Sequence, residues 1–213
     1  MKKMIVLVAC MVLVASAAFA GVQDSKHDLG VGSGSGGYVA VGTTEICVFC
    51  HTPHGAQNNT TAPLWNRSTT ASVFTLYASA TMTGTVTPGL TGASLACMSC
   101  HDGTLTIAGS VINDPNLAPI TAGVNAGGVV ADLITGFANL TNNLSNDHPV
   151  NVQYSTSVAG GGFLAAPTAA SGAVLIGTQV ECASCHQVHD NTIAPFLRGT
   201  MARSALCLGC HVK

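Results

Sequence analysis

A five-residue unit, Cys-x-x-Cys-His, recurs four times in this chain: CVFCH (47–51), CMSCH (97–101), CASCH (182–186) and CLGCH (207–211). These units use every cysteine except Cys10. Any fold must therefore accommodate eight thiols held in pairs, each pair trailed by an imidazole. A disulfide framework suits an exported chain, but thiols paired at CxxC spacing with a histidine after each pair are not its pattern. Two four-thiolate zinc sites match a CxxC…CxxC spacing but leave the four trailing histidines without a role. Covalent attachment of c-type haem uses every residue of the unit, because two cysteines form thioethers to the vinyl groups and the next residue ligates iron. The repeat thus implies four covalently bound haem c groups, at Cys47/Cys50, Cys97/Cys100, Cys182/Cys185 and Cys207/Cys210. His51, His101, His186 and His211 are the expected proximal ligands.

Composition makes the same demand from another side. The 213 residues include one Trp, three Tyr and six Phe, while Gly, Ala, Ser, Thr and Asn fill long stretches. The length would permit an ordinary core, but these side chains do not build one, so the macrocycles are expected to supply the apolar centre. No long amphipathic helix pattern is present. Residues 30–42, GVGSGSGGYVAVG, read as a flexible Gly-rich stretch. The short apolar runs 72–78, 104–112 and 173–180 read as short strands, and Pro88-Gly89 and Asn113-Asp114-Pro115 as turns. The expected fold is mostly coil, with short helices at the cysteine motifs and a few short strands, wrapped around a stacked tetrahaem core: a multihaem cytochrome c.

The start of the chain reads as an export signal, residues 1–20. Lys2 and Lys3 precede the apolar run MIVLVACMVLVA, and AAFA offers a small-residue cleavage pattern ending at Ala20. LVAC (7–10) is a rival lipoprotein box, but it would leave an unusually short leader. Residues 21–213 then form a single domain, with 21–45 as a flexible N-terminal arm. Removing Lys2 and Lys3 leaves five of the seven basic residues against nine acidic ones, a net charge of −4. Five scattered cations make no nucleic-acid surface. Charged residues are 8% of the chain, a low share for a soluble domain that leaves little repulsion to keep copies apart.

The chain has eight histidines. Setting aside the four proximal ones leaves His27, His54, His148 and His189, a number equal to that of the sixth coordination positions. Bis-histidine ligation throughout is the resulting expectation. His54 follows His51 by three residues, and side chains three apart on a helical turn share a face. The two axial nitrogens must approach iron from opposite sides, so His54 is expected to reach a second haem, and His189 repeats the device after His186. An iron clamped by two imidazoles exchanges electrons but offers no open position, and histidine in place of methionine keeps its potential low. Met82 and Met201 are alternative ligands, while Met98, inside a CxxC, is excluded from its own haem. A multihaem reductase, the competing class, needs a five-coordinate haem with acid–base groups beside it. Asp102, Asp114, Asp132 and Asp147 are scattered, with no pairing evident, which argues for an electron carrier rather than an enzyme.

Roughly eight propionates would face five cations, with Arg67, Arg198 and Arg203 as the best forked partners. The loaded protein would carry about −8 oxidised and about −12 reduced. Closely spaced centres should then titrate as a coupled set.

CVFCHTPHG, CMSCHDGT, NDHPV and CASCHQVHDN…APFLR, closed by a final CxxCH, resemble the doubled-CxxCH cytochrome superfamily. Within it they are most similar to outer-surface tetrahaem cytochromes that polymerise into extracellular nanowire filaments. The resemblance runs from Lys26-His27-Asp28-Leu29 to Cys210-His211. It implies coil around a continuous haem stack with alternating parallel and T-shaped pairs, and one distal histidine donated by the neighbouring subunit. His27, on the N-terminal arm, is the candidate donor; ligation within its own chain is the alternative. The implied function is conduction from upstream periplasmic or outer-membrane cytochromes to extracellular acceptors, with the protein at the cell surface or outside it. A soluble periplasmic tetrahaem shuttle is the competing reading.

Overall fold

The computed structural model describes residues 21–33, 37–58, 62–114, 120–121, 123 and 132–212. The export signal and the Cys10 box lie outside the described residues. Regular structure is sparse. Among the described residues, three helices, α1 (Gly92–His101), α2 (Tyr154–Ala159) and α3 (Cys182–Cys185), and several 3-10 turns punctuate segments that are mostly coil. Five two-residue strands complete the list: β1 (Thr75–Leu76), β2 (Thr85–Val86), β3 (Asn143–Leu144), β4 (Val152–Gln153) and β5 (Gln179–Val180). β1 pairs parallel with β3, and β2, β4 and β5 form an antiparallel sheet in that order. No helix among the described residues is long and apolar enough to cross a membrane.

The cysteine motifs form brief helical turns, as the sequence predicts. Motifs one and four are 3-10 turns, Cys47–Phe49 and Cys207–Gly209, and motif three is α3. Motif two closes α1, which starts well before its first cysteine. The middle pairs of motifs one and two are buried, Phe49, Met98 and Ser99 fully and Val48 nearly so, as is Ser184 of motif three, whereas Leu208 of motif four is exposed. Two small apolar clusters result. Val48 and Phe49 pack with Ala40, Ala108 and Ile120, and Met98 packs with Leu90 and Leu144.

Three expected elements differ. Only Thr75–Leu76 of the run 72–78 is strand. The run 104–112 is no strand, because the Ile107 and Ala108 amides bond to the Asp132 carbonyl and carboxylate (2.6 and 2.8 Å) rather than to a ladder. The run 173–180 folds back at Gly177, φ 62°, so that Ile176 bridges Gln179 and only the end is β5. Pro88-Gly89 does turn, with Gly89 at φ 73°. The described part of the N-terminal segment 21–45, expected as a flexible arm, lies against the body. Ala40 packs with Val48, Phe49 and Ala108, and the Tyr38 hydroxyl donates to Asp132 (2.9 Å).

Candidate haem-binding site

One geometry recurs at the motifs. The histidine amide bonds back to the first cysteine carbonyl in motifs one, three and four: His51 to Cys47 (2.8 Å), His186 to Cys182 (3.1 Å) and His211 to Cys207 (2.9 Å). A separate segment then backs each motif. Residues 63–67 run beside motif one through Thr52 N to Leu64 O and Asn66 N to Cys50 O, both 2.9 Å. Leu140 N bonds to His101 O at 2.7 Å, and Arg198 N to Cys185 O at 2.8 Å. Phe163 bridges His211, and Leu164 N bonds to Cys210 O at 2.8 Å.

These backing segments orient the imidazoles. His51 Nδ1 lies 2.6 Å from Pro63 O, His101 Nδ1 2.7 Å from Ala138 O and His186 Nδ1 3.0 Å from Pro195 O. An Nδ1–H donated to a carbonyl leaves Nε2 as the lone-pair nitrogen, the tautomer that a metal-binding histidine needs. His211 is steadied instead by the Phe163 ring, with centroids 4.5 Å apart.

The remaining histidines meet the first set in pairs. His27 stands 6.1 Å from His101, His189 6.0 Å from His51 and His148 6.3 Å from His211, centroid to centroid. Imidazoles that shared a metal would each stand about 2.0 Å from it through nitrogen, further apart than rings in direct stacking, although His51 and Trp65 lie 6.4 Å apart with no such role. The stacked contact of His27 with Phe196, by contrast, is 4.5 Å. His189 lies three residues from His186 yet faces His51, in keeping with the rule that a same-face histidine must serve another centre. His54 and His186 make no ring contact with another histidine among the described residues. His54 is exposed, and its carbonyl accepts from Thr52 and Asn113. His148 Nδ1 lies 3.0 Å from Pro149 O.

The thiols show which motifs are neighbours. Burial pushes the Cys50 thiol up to about 12, with Cys100 adding to the rise. The Cys97 and Cys182 thiols are hydrogen-bonded to each other, which raises the first and lowers the second to about 7. Burial raises Cys185, followed by Cys210 and Cys207. Motif one thus adjoins motif two, two adjoins three, and three adjoins four. The eight motif cysteines form no disulfide with one another, and no three of His, Cys, Asp or Glu among the described residues converge as a metal cage. The zinc alternative would require four thiolates to meet.

Glu181, which the sequence reading passed over, links motifs two and three. Its buried carboxylate accepts from Ser94 N at the start of α1 (2.8 Å) and forms the capping box of α3 with Ser184. Gly92 opens α1 at φ 58°, and a Cβ there would sit 2.6 Å from the Glu181 carboxylate. Asn66, also passed over, is fully buried and holds motif one through Val48 O (2.7 Å) and Asn113. A Ser-x-x-Glu-like pattern is the sequence sign of a cap, but Glu181 caps a helix 87 residues away, which no local pattern reveals.

Arg67, one of the three expected propionate partners, is buried, and both Nη atoms donate to backbone carbonyls, leaving Nε without a protein partner. Arg198 Nε donates to Ala183 O at 2.8 Å, and Arg203 is exposed. Asp102, Asp114 and Asp132 act as local acceptors for loop hydroxyls and amides. Met98 is buried in the α1 cluster, and Met201 is exposed. Two buried donors have no partner, Trp65 Nε1 and Arg67 Nε, and both lie in the segment backing motif one. Unpartnered donors, thiol pairs and imidazoles presenting Nε2 together suit haem, which brings vinyl carbons, iron and carboxylate acceptors.

Helical turns of this kind, each carrying a thiol pair and an imidazole, are suited to covalent haem. The model of the doubled CXXCH motif family matches residues 176–213, the stretch that holds motifs three and four. That match supports a multihaem c-type cytochrome, and the CXXCH motifs indicate covalently bound haem c. No curated protein matches the chain.

Proposed function

We propose that the chain carries four haem c groups, each iron held by two imidazoles, and that it conducts electrons as the subunit of an extracellular filament delivering them to external acceptors. The single observation that carries the reading is that three histidine pairs lie 6.0 to 6.3 Å apart, a spacing that would let the two rings of each pair share one iron. His27/His101, His51/His189 and His148/His211 are the three pairs. When bound, haem c supplies reversible one-electron chemistry at iron. These pairs would hold three irons from both sides, with rings oriented through the Pro63, Ala138 and Pro195 carbonyls. The enzyme alternative needs an iron open on one side.

The pairing revises the expected subunit crossing. The His27–His101 contact favours the alternative in which His27 serves a centre of its own chain. His54 and His186 remain, one exposed and one lacking a ring opposite. In this reading His54 of one copy ligates the centre held by His186 of the next, and chains join head to tail. Phe137 and Val73, both strongly exposed, and the low charge add apolar surface suited to self-association. The export signal at residues 1–20 accounts for delivery beyond the inner membrane. Negative-stain microscopy of secreted wild-type and His54→Ala protein tests the proposal: filaments from the first and separate four-haem chains from the second are expected. Discrete wild-type particles at all concentrations would instead identify a soluble periplasmic shuttle.

A further inference from the structure

Arg67 is 1% exposed, whereas Lys26 and Arg203 are exposed and Arg198 is half-buried. Its Nη1 donates to Ile107 O (2.6 Å) and reaches Phe49 O at 3.5 Å; Nη2 donates to Thr106 O (2.8 Å); Nε has no partner. Its carbonyl partners are all neutral, the Cys100 thiol is a further neighbour, and no carboxylate among the described residues bonds the guanidinium. A buried charge with no counter-ion is costly, and the chain could have met the same carbonyls with a neutral donor. The position explains the cost. Phe49 immediately precedes Cys50. The Phe49 carbonyl places the charge beside motif one, and the Thr106 and Ile107 carbonyls tie it to the segment that follows motif two. Around it stand Cys50, Cys100, Asp102, and Tyr38 with its hydroxyl on Asp132 (2.9 Å).

We propose that Arg67 is a positioning residue for electrons: a buried, permanently charged group that sets the centres of motifs one and two above the other two in reduction potential. The inference rests on the reading that these motifs carry haem. Uptake of one electron from an outside donor turns Fe(III) into Fe(II) and removes one positive charge from the centre. A fixed cation nearby favours that change, and burial strengthens the effect because solvent does not screen it. Guanidinium keeps its proton at all working pH values, so the bias is constant. Motifs three and four have only half-buried Arg198 and exposed Arg203, whose charges water screens. Electrons should therefore collect first on the half of the stack that contains motifs one and two.

Spectroelectrochemical titration of the full-length, haem-loaded protein tests this, with haem content per chain measured first. Arg67→Gln removes the charge and keeps two donors; Arg67→Lys keeps the charge and loses the fork. Roughly half of the titration, two electrons of four, should move to lower potential in Arg67→Gln and stay in place in Arg67→Lys at neutral pH. In Arg67→Lys the same half should fall as pH rises, because burial lowers a lysine pKa, while the wild type stays flat over that range. If Arg67→Gln does not accumulate, the alkaline fall in Arg67→Lys decides alone. Equal shifts in both variants, no shift in Arg67→Gln, or a flat Arg67→Lys would overturn the inference while four haems per chain left the haem reading intact. A chain without haem would instead remove that reading itself.

Discussion

His27→Ala separates ligation inside the chain from ligation between chains. The His27 ring lies 6.1 Å from His101 at an interplanar angle of 81° and stacks on Phe196 at 4.5 Å. Two losses follow from removing it. The Phe196 contact is worth about 0.5–1.5 kcal/mol beyond area burial, a modest fall in stability. The centre at His101 loses its second imidazole, so one haem in four, about a quarter of the signal, should pass from low-spin to high-spin. Magnetic circular dichroism reads the spin states, and carbon monoxide titration of the reduced protein counts open irons. One additional carbon monoxide per chain is expected over the parent, at every protein concentration, because donor and acceptor share a chain. An unchanged spin-state distribution with four haems attached would refute the pairing. An increment that appears only in assembled material would mean that His27 serves a neighbour.

Other consequences follow from the same geometry. His189→Ala should likewise open one iron, at motif one rather than at motif three three residues away; site-specific NMR of the haem methyls distinguishes them. Glu181→Ala removes acceptors from the starts of two helices and should cost about 1–3 kcal/mol, read as a lower midpoint in chemical denaturation. Asn66→Ala leaves the Val48 and Asn113 carbonyls and the Asn113 amide without partners and should cost a similar amount, about 1–3 kcal/mol. Gly92→Ala places a methyl group 2.6 Å from the Glu181 carboxylate at a φ of 58°, so it should destabilise the protein in the same assay, and less so when combined with Glu181→Ala.

The motifs and their brief turns were legible because CxxCH is a local pattern with a local consequence: the trailing amide returns to the first cysteine carbonyl. That His189 faces away from the centre of His186 was legible, since the rule that forbids His186 and His189 a shared face-to-face partner is also local, and the structure sets its ring 6.0 Å from His51. Which ring meets which was not, because His27 and His101 come together through folding across 74 positions. The shorter segments misled for a related reason. Residues 104–112 alternate like a strand, yet one aspartate, Asp132, takes the amides that a ladder would need. The burial of Arg67 was not legible because nothing in the sequence tells a buried guanidinium from an exposed one; its Nη atoms meet backbone carbonyls, which every residue has. The same is true of Pro63, Ala138 and Pro195, whose contribution to the site is only an oxygen.

The claim that two imidazoles close every iron is tested most directly by carbon monoxide binding to the reduced, assembled wild-type protein. The account predicts no bound carbon monoxide and a wholly low-spin spectrum in filaments, with one binding iron per chain when the chains are separated. Carbon monoxide bound in stoichiometric amount to intact filaments would contradict it.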